Sequence, residues 1–142
     1  VYLVVIKSSS LIMEQIKYIP GDWVYIPKFG NNYTIMSSGK YYYEALDANY
    51  NDVVIENTDI VPIPLTPEIL EKNGWRELKS KRYTWWKTRL GGFYYFIKPN
   101  QDYPSIWELC RGNTRYHFKK IKYVHQLQHF IFGLDLNSDM NF

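Results

Sequence analysis

The chain has 142 residues, a net formal charge of +3 and an apolar fraction of 46%. This length and composition exclude an intrinsically disordered chain and allow a buried core without disulfide staples. Cys110 is the only cysteine, so no internal disulfide can form, and no apolar run approaches the ~20 residues that a membrane-spanning helix needs. We therefore expect a protein of a reducing cytoplasm.

The N-terminal residues 1–12 contain no motif that indicates fold or function. The apolar run at residues 1–6 is short and lacks the basic leader and the cleavage site of a signal peptide. Met13 is an equally good natural start. We therefore base no expectation about fold or function on residues 1–12.

Residues 13–65 are predicted to form a small unit of short strands. A Pro-Gly turn at residues 20–21 leads into a β-rich segment, and turn-forming residues recur at 30–32 and 38–40. The aromatic or β-branched runs that follow are Tyr33–Met36, Tyr41–Leu46 and Val53–Glu56. Four short strands joined by tight turns indicate a small curled sheet or an SH3-like barrel. Residues 59–65 contain two prolines and are predicted to be an extended connector.

A short helix over residues 66–74 has its own start and stop signals. Thr66 is a good N-cap, and Pro67 fits the first helical position, where its missing N–H has no cost. Glu68 places negative charge at the positive end of the helix dipole, and Gly74 suits the left-handed residue after the helix. The helix divides the chain into an N-terminal unit (13–65) and a second part (66–142), which can pack as one domain.

The second part returns to strands and ends in a helix. Candidate strands are Tyr83–Thr88, Phe93–Lys98, Ser105–Leu109 and Thr114–Lys119. Gly91-Gly92 is a strong turn between the first two, which suggests an antiparallel meander. Apolar residues recur every three or four positions from Val124 to Leu134 and predict a helix over 122–134. The predicted fold is therefore α+β: a small N-terminal β-barrel-like unit, a short linker helix, an antiparallel β-sheet and a C-terminal amphipathic helix.

Charge is distributed unevenly along the chain. Residues 1–70 contain 4 Lys and 8 acidic residues, a net charge of −4, whereas residues 71–142 contain 13 basic and 6 acidic residues, a net charge of +7. Such asymmetry indicates either that the second half faces an anionic partner or that the two halves face each other.

The strongest functional signal is the interleaving of basic and aromatic residues at positions 79–89 and 111–120. A nucleobase can stack on a Tyr or Trp ring while an Arg or Lys meets its phosphate. The alternative is that one strand face forms core and the other a solvated basic surface. The residues predicted to contact an anionic ligand are Arg82, Trp86, Arg89, Arg111 and Arg115.

Metal and catalytic chemistry have weaker signals. His125 and His129 share a helix face at a spacing that can chelate a metal. A structural zinc site would need two more ligands, for which Cys110 and His117 are the remaining candidates. Nothing in the local sequence activates Cys110 as a nucleophile. We therefore predict no metal, no cofactor and no catalytic residue, and the protein is not expected to be an enzyme.

Three segments carry a resemblance to a family. Ile63–Trp75 (IPLTPEILEKNGW) resembles the central signature of a family of small proteins encoded by Bacteroidales phages and mobile elements. Tyr123–His129 (YVHQLQH) is similar to that family's C-terminal signature, and Pro20–Val24 (PGDWV) to its N-terminal turn and strand. The resemblance covers most of residues 16–134 in order. It implies origin and architecture, and it brings no assigned activity and no catalytic residues.

Together these features predict a non-enzymatic accessory protein of a phage or mobile element that binds a nucleotide or a short nucleic acid in the host cytoplasm. Sequestration of a nucleotide immune signal, as an anti-defence sponge, is one form of this hypothesis, and it depends on genomic association rather than on residues. The alternative is a protein-interaction module whose aromatic surface docks on a host protein and inhibits it. We expect no membrane partner, and we expect a homodimer through a sheet edge or the C-terminal helix.

Overall fold

The computed structural model describes residues 17–82, 84–112 and 117–141. In these ranges the chain forms two five-stranded antiparallel sheets and two α-helices. The predicted α+β class with antiparallel sheets is therefore confirmed. Neither helix in these ranges has the length and apolar composition needed to cross a bilayer.

The first sheet is built from the N-terminal part of the chain. Its strands are β1 (Trp23–Ile26), β2 (Asn31–Ser38), β3 (Tyr42–Leu46), β4 (Asp52–Glu56) and β5 (Val61–Pro62), in the spatial order β4-β3-β2-β1-β5. A single 3-10 turn, Asn57–Asp59, separates β4 from β5. The predicted connector thus contains a strand that pairs with β1. Pro62 is tolerated there because β5 is an edge strand.

Side chains alternate across the first sheet between a buried and an outer face. The buried face and two residues outside the strands, Tyr18 and Ile60, form a core of their own. The strand residues of this core are Val24, Ile26, Tyr33, Ile35, Tyr43, Ala45 and Ile55. Among the described residues, no hydrogen-bonded ladder joins β4 to β5, so the sheet is not a closed barrel. The barrel-like form of this unit stays a prediction.

The linker helix α1 spans Pro67–Lys72 and has the predicted caps. The Thr66 hydroxyl accepts a hydrogen bond from the Ile69 amide at 3.3 Å, and Pro67 is the first helical residue. Gly74 follows with φ +86°, a conformation that favours glycine. Leu70 is fully buried and anchors the helix to the core of the second sheet.

The second sheet is a meander whose strands are β6 (Arg76–Lys79), β7 (Thr84–Leu90), β8 (Phe93–Pro99), β9 (Trp107–Arg111) and β10 (His117–Ile121). The sequence did not predict β6, because the highly charged Arg76–Lys79 segment lacks an apolar alternation. The last two strands end two residues later than predicted, so Arg111 is the last residue of β9.

The C-terminal helix α2 spans Val124–Gly133, as the apolar periodicity predicts. Val124, Leu127 and Ile131 are buried against the inner face of the second sheet, which contributes Ile97, Leu109 and Ile121. Trp23 and Tyr25, on the outer face of β1, pack against the same core. The first sheet therefore contacts the core that α2 and the second sheet enclose.

Candidate ligand-binding surface and buried histidine cluster

The candidate surface is the outer face of the second sheet, defined as the face opposite to α2. The hairpin of β7 and β8 is set by the two-residue turn Gly91-Gly92, whose φ angles of +59° and +89° suit glycine. This turn places Leu90 opposite Phe93 and fixes the register of the remaining pairs. Six side chains then project on the outer face. They are Trp85, Lys87 and Arg89 of β7 and Tyr94, Phe96 and Lys98 of β8, here called the cation–aromatic ladder.

Each cross-strand pair of the ladder joins a cation to a ring. Lys87 lies opposite Phe96, with its Nζ 5.5 Å from the ring centroid, and Arg89 lies opposite Tyr94, with its Cζ 5.7 Å from that centroid. Lys98 Nζ lies 4.6 Å from the Trp85 ring. Lys87 also approaches Tyr94 diagonally at 4.1 Å. These distances are within the range of cation–π attraction, so the rings and the charges support one another's positions.

The outer face is strongly basic. The strand register adds Arg76 and Lys120 to the three cations of the ladder. On the described strands of this face there is one carboxylate, that of Glu108. Its Oε2 lies 3.8 Å from Lys98 Nζ, and its Oε1 accepts a hydrogen bond from Asn100 Nδ2 at 2.8 Å. One acid against five bases leaves this face with an excess of positive charge.

The structure divides the five predicted contact residues between different surfaces. Arg89 belongs to the ladder. Trp86 is 5% exposed on the inner face, where its ring meets the Trp107 ring edge-on at 5.3 Å. Arg111 lies opposite Tyr95, and so on the inner side of the sheet, with its Cζ 5.1 Å from the Phe93 ring. Arg82 is exposed between β6 and β7, and Arg115 lies outside the described residues.

Trp86 is therefore a core residue, and the neighbouring Trp85 takes its place on the basic face. Strand alternation already separates Trp86 from Arg89, because residues three apart lie on opposite faces. The sequence pattern did not single out Tyr94, Phe96 and Lys98. The two-residue Gly91-Gly92 turn was the signal that could have identified them, because it sets which residues face one another.

A second polar assembly lies where α2 meets the turn before β1. Asp22 is 2% exposed, and its Oδ2 accepts a hydrogen bond from the Ile19 amide at 2.8 Å. The Nε2 of His129 lies 2.9 and 2.8 Å from the two carboxylate oxygens of Asp22. Burial raises the pKa of Asp22, and its hydrogen bonds to Ile19 and His129 oppose that shift.

Gln128 completes the contact between helix and turn. Its Oε1 accepts a hydrogen bond from the Trp23 amide at 2.9 Å, and its Nε2 donates to the Gly21 carbonyl at 2.9 Å and to the Ser138 carbonyl at 3.2 Å. The side chain is 2% exposed. Both ends of its amide group are thus satisfied by backbone groups, as a buried amide requires.

His125 lies beside this assembly in an aromatic cage. Its ring stacks on Tyr123 at 5.8 Å and meets the Tyr18 ring edge-on at 5.1 Å. Burial, with a smaller contribution from the charge of His129, lowers the pKa of His125 to about 4. Its Nδ1 is buried and has no hydrogen-bond partner among the described residues. His125 therefore behaves as a neutral core ring at neutral pH.

The described residues give no support to a metal site, and Cys110, considered above as a nucleophile, lies opposite His117 in the pairing of β9 with β10. Within residues 17–82, 84–112 and 117–141, no three His, Cys, Asp or Glu side chains are grouped so as to hold a metal ion. Cys110 lies opposite Phe96 on the outer side of the sheet, away from α2, and burial raises the pKa of its thiol. A raised pKa disfavours the nucleophilic thiolate.

No family model, no curated protein and no solved structure matches this chain. The resemblance to phage and mobile-element proteins stays a prediction.

Proposed function

We propose that the protein is a non-enzymatic binding protein whose ligand is anionic and carries a nucleobase: a nucleotide or a short nucleic acid. The observation that carries this proposal is the cation–aromatic ladder, in which three cations and three rings alternate across two paired strands. In the part of the chain that the structure describes, both helices lie away from this face. At its exposed end, formed by Arg89 and Tyr94, the ladder thus offers a surface of the kind on which bases stack and phosphates bind.

The ladder has a defined way to hold such a ligand. Tyr94 is 48% exposed and Arg89 is exposed beside it, so this end of the ladder is the most accessible. A base would stack on Tyr94 while its phosphate meets Arg89. Lys87 is two residues from Arg89 on the same strand, about 7 Å away, a distance comparable to that between neighbouring phosphates of an extended single strand.

Fluorescence anisotropy with a labelled oligothymidylate at low ionic strength tests the proposal. Tyr94→Ala is expected to weaken binding by about 1–3 kcal/mol, roughly 5- to 150-fold, which is the usual contribution of one stacked base. Arg89→Ala is expected to weaken binding and to reduce the salt dependence, because one phosphate contact is lost. Lys28→Ala is the matched control, since Lys28 also lies near an aromatic ring, Phe29, but in a turn of the first sheet.

Competition identifies the ligand class. Displacement of the oligothymidylate by a mononucleotide at comparable concentration would point to a nucleotide-binding protein, whereas displacement by oligonucleotides only would point to single-stranded nucleic acid. The proposal fails if the wild-type protein binds neither probe at low salt, or if Lys28→Ala weakens binding as much as Arg89→Ala.

The predicted phage origin favours one biological form of this function, sequestration of a nucleotide immune signal in the host cytoplasm. Native mass spectrometry of protein purified from cells with and without an active nucleotide-signalling defence tests it. A retained mass of nucleotide size, present only when signalling is active, is the expected result. The same apo mass in both samples would contradict the sponge hypothesis.

A second candidate function is docking on a host protein through aromatic side chains. Tyr41 and Tyr50 are 61% and 82% exposed in the first unit, which favours this alternative. Capture of one partner in stoichiometric amount, insensitive to salt and lost in Tyr41→Ser with Tyr50→Ser, would support it. Capture that is unchanged in this double variant would contradict it.

A further inference from the structure

The outer face of the first sheet carries a second ladder of opposite charge. Strands β3 and β4 pair there so that Tyr42 lies opposite Glu56, Glu44 opposite Val54 and Leu46 opposite Asp52. Each pair joins one carboxylate to one apolar side chain. The three acids are exposed, Tyr42 is 52% exposed and Val54 is 67% exposed. These six residues are here called the acid–apolar ladder.

Apart from Lys98, which lies 3.8 Å from Glu108, the charged side chains of the two ladders have no ion-pair partner within the described chain. Within the described ranges, the carboxylates of Glu44, Asp52 and Glu56 have no basic group within 4 Å, and neither Lys87 nor Arg89 has a carboxylate at that distance. The ion pair that crosses from the first unit to α2 in these ranges is that of Asp22 and His129. The uneven charge of the two halves is thus presented on two separate faces.

The two ladders also share their dimensions. Both consist of two antiparallel strands about 4.8 Å apart, with successive pairs about 7 Å apart along the strands. Both contain three pairs, each with one charged and one apolar or aromatic member. A face-to-face contact can therefore place carboxylates near cations while Tyr42 or Val54 covers the exposed ring of Tyr94.

We infer that the acid–apolar ladder of one copy docks on the cation–aromatic ladder of a second copy of this chain. The contact joins two different faces, so it produces a dimer where two copies pair reciprocally and a longer chain of copies where they do not. This inference does not rest on the proposed function. It does predict competition, because an anionic ligand and a second copy would occupy the same ladder.

Sedimentation velocity at low ionic strength measures this contact. The wild-type protein is expected to self-associate, and rising salt is expected to dissociate it. The acid-face variant Glu44→Lys with Glu56→Lys and the basic-face variant Lys87→Glu with Arg89→Glu are each expected to lose self-association. The variant with all four substitutions restores the complementarity and is expected to associate again.

Matched controls reverse the same charges elsewhere. Lys28→Glu and Glu71→Lys change exposed side chains outside both ladders and are expected to leave self-association unchanged. The inference is overturned by a monomeric wild type at low salt, by controls as disruptive as the ladder variants, or by a four-fold variant that stays monomeric while circular dichroism shows it folded. If the variant with all four substitutions does not fold, Glu44→Gln with Glu56→Gln tests the inference instead. This variant loses two negative charges from the acid–apolar ladder and is expected to self-associate more weakly than the wild type; unchanged self-association would overturn the inference.

Oligothymidylate binding separates this inference from the proposed function. The acid-face variant keeps an intact cation–aromatic ladder, so it should bind the oligonucleotide at least as tightly as the wild type even where it no longer self-associates. Failure of binding with intact self-association would reject the proposed function alone. Binding without self-association of the wild type would reject the docking inference alone.

Discussion

Asp22 and His129 are 107 residues apart in the chain, and the His129 Nε2 lies within 2.9 Å of both carboxylate oxygens of Asp22. The contact links α2 to the turn that starts the first sheet. A buried carboxylate is costly unless hydrogen bonds compensate for its lost hydration, and Asp22 is almost fully buried. The contact between the His129 ring and the buried Asp22 carboxylate therefore holds α2 in position relative to this turn.

A double-mutant cycle measures this contact. Asp22→Ala, His129→Ala and the double variant are expected to give a coupling free energy of about 1.5–3 kcal/mol, the range for a hydrogen bond to a charged group. The cycle cancels the separate loss of the hydrogen bond between Ile19 and Asp22. Urea denaturation supplies the unfolding free energies, and strictly additive single variants would show that the contact contributes nothing to stability.

Gln128 and Gln126 offer a matched pair of isosteric substitutions. Gln126 uses its Oε1, which accepts hydrogen bonds from the amides of Lys122 and Tyr123. Gln128 also needs its Nε2 to donate to two carbonyls. Gln128→Glu is therefore expected to destabilise by about 2 kcal/mol or more, because a buried oxygen would face the carbonyls of Gly21 and Ser138.

Gln126→Glu is expected to be neutral or slightly stabilising, since a carboxylate also accepts from N-terminal amides and complements the helix dipole. Thermal unfolding of both variants gives the comparison. Equal destabilisation by the two substitutions would contradict the assigned role of Gln128.

Stability is expected to fall on acidification because of His125. Its pKa is lowered from 6.5 to about 4 in the folded state, mainly by burial. Between these values the unfolded chain binds a proton at His125 and the folded chain does not, so the free energy of unfolding decreases as the pH falls through this window. The loss attributable to His125 is at most roughly 3 kcal/mol.

Urea denaturation of the wild type and of His125→Phe across this pH range isolates the effect. Asp22 changes the stability in the opposite direction, because its raised pKa makes the folded chain bind a proton more readily than the unfolded chain in acid. Both proteins retain Asp22, so its contribution cancels when their unfolding free energies are subtracted. The stability gap between His125→Phe and the wild type should shift in favour of His125→Phe towards pH 4. Parallel pH profiles would show that His125 is not the titrating group.

Two neighbouring core tryptophans should respond differently to Phe. The Trp107 Nε1 donates to the Leu65 carbonyl at 3.1 Å, whereas the buried Trp86 Nε1 has no partner among the described residues. Both substitutions remove similar volume, but only Trp107→Phe breaks a hydrogen bond and leaves a buried carbonyl without its donor. Trp107→Phe is expected to destabilise by about 1–2 kcal/mol more than Trp86→Phe in chemical denaturation. Equal losses of unfolding free energy in the two variants would show that the hydrogen bond of Trp107 does not contribute and that side-chain packing alone sets the cost of each substitution.

Local signals in the sequence determined the elements whose energetics are local. Helix α1 was predictable to within a residue or two because its N-cap, its first-turn proline and its closing glycine each act within one helical turn. Helix α2 and strands β7 and β8 followed from periodicity and from the glycine turn. The charged strand β6 and the two-residue strand β5 were missed, because their partners, not their own composition, make them strands.

Tertiary structure decided which side chains share a surface. The sequence marked a basic, aromatic region, but the covering of one sheet face by α2 made Trp86 core and left Trp85 with the cations. The contact of Asp22 with His129 and that of Tyr18 with His125 each join segments 107 residues apart. Capping and alternation act over a few residues and are readable from the chain, whereas burial and charge pairing depend on which distant element supplies the opposite surface.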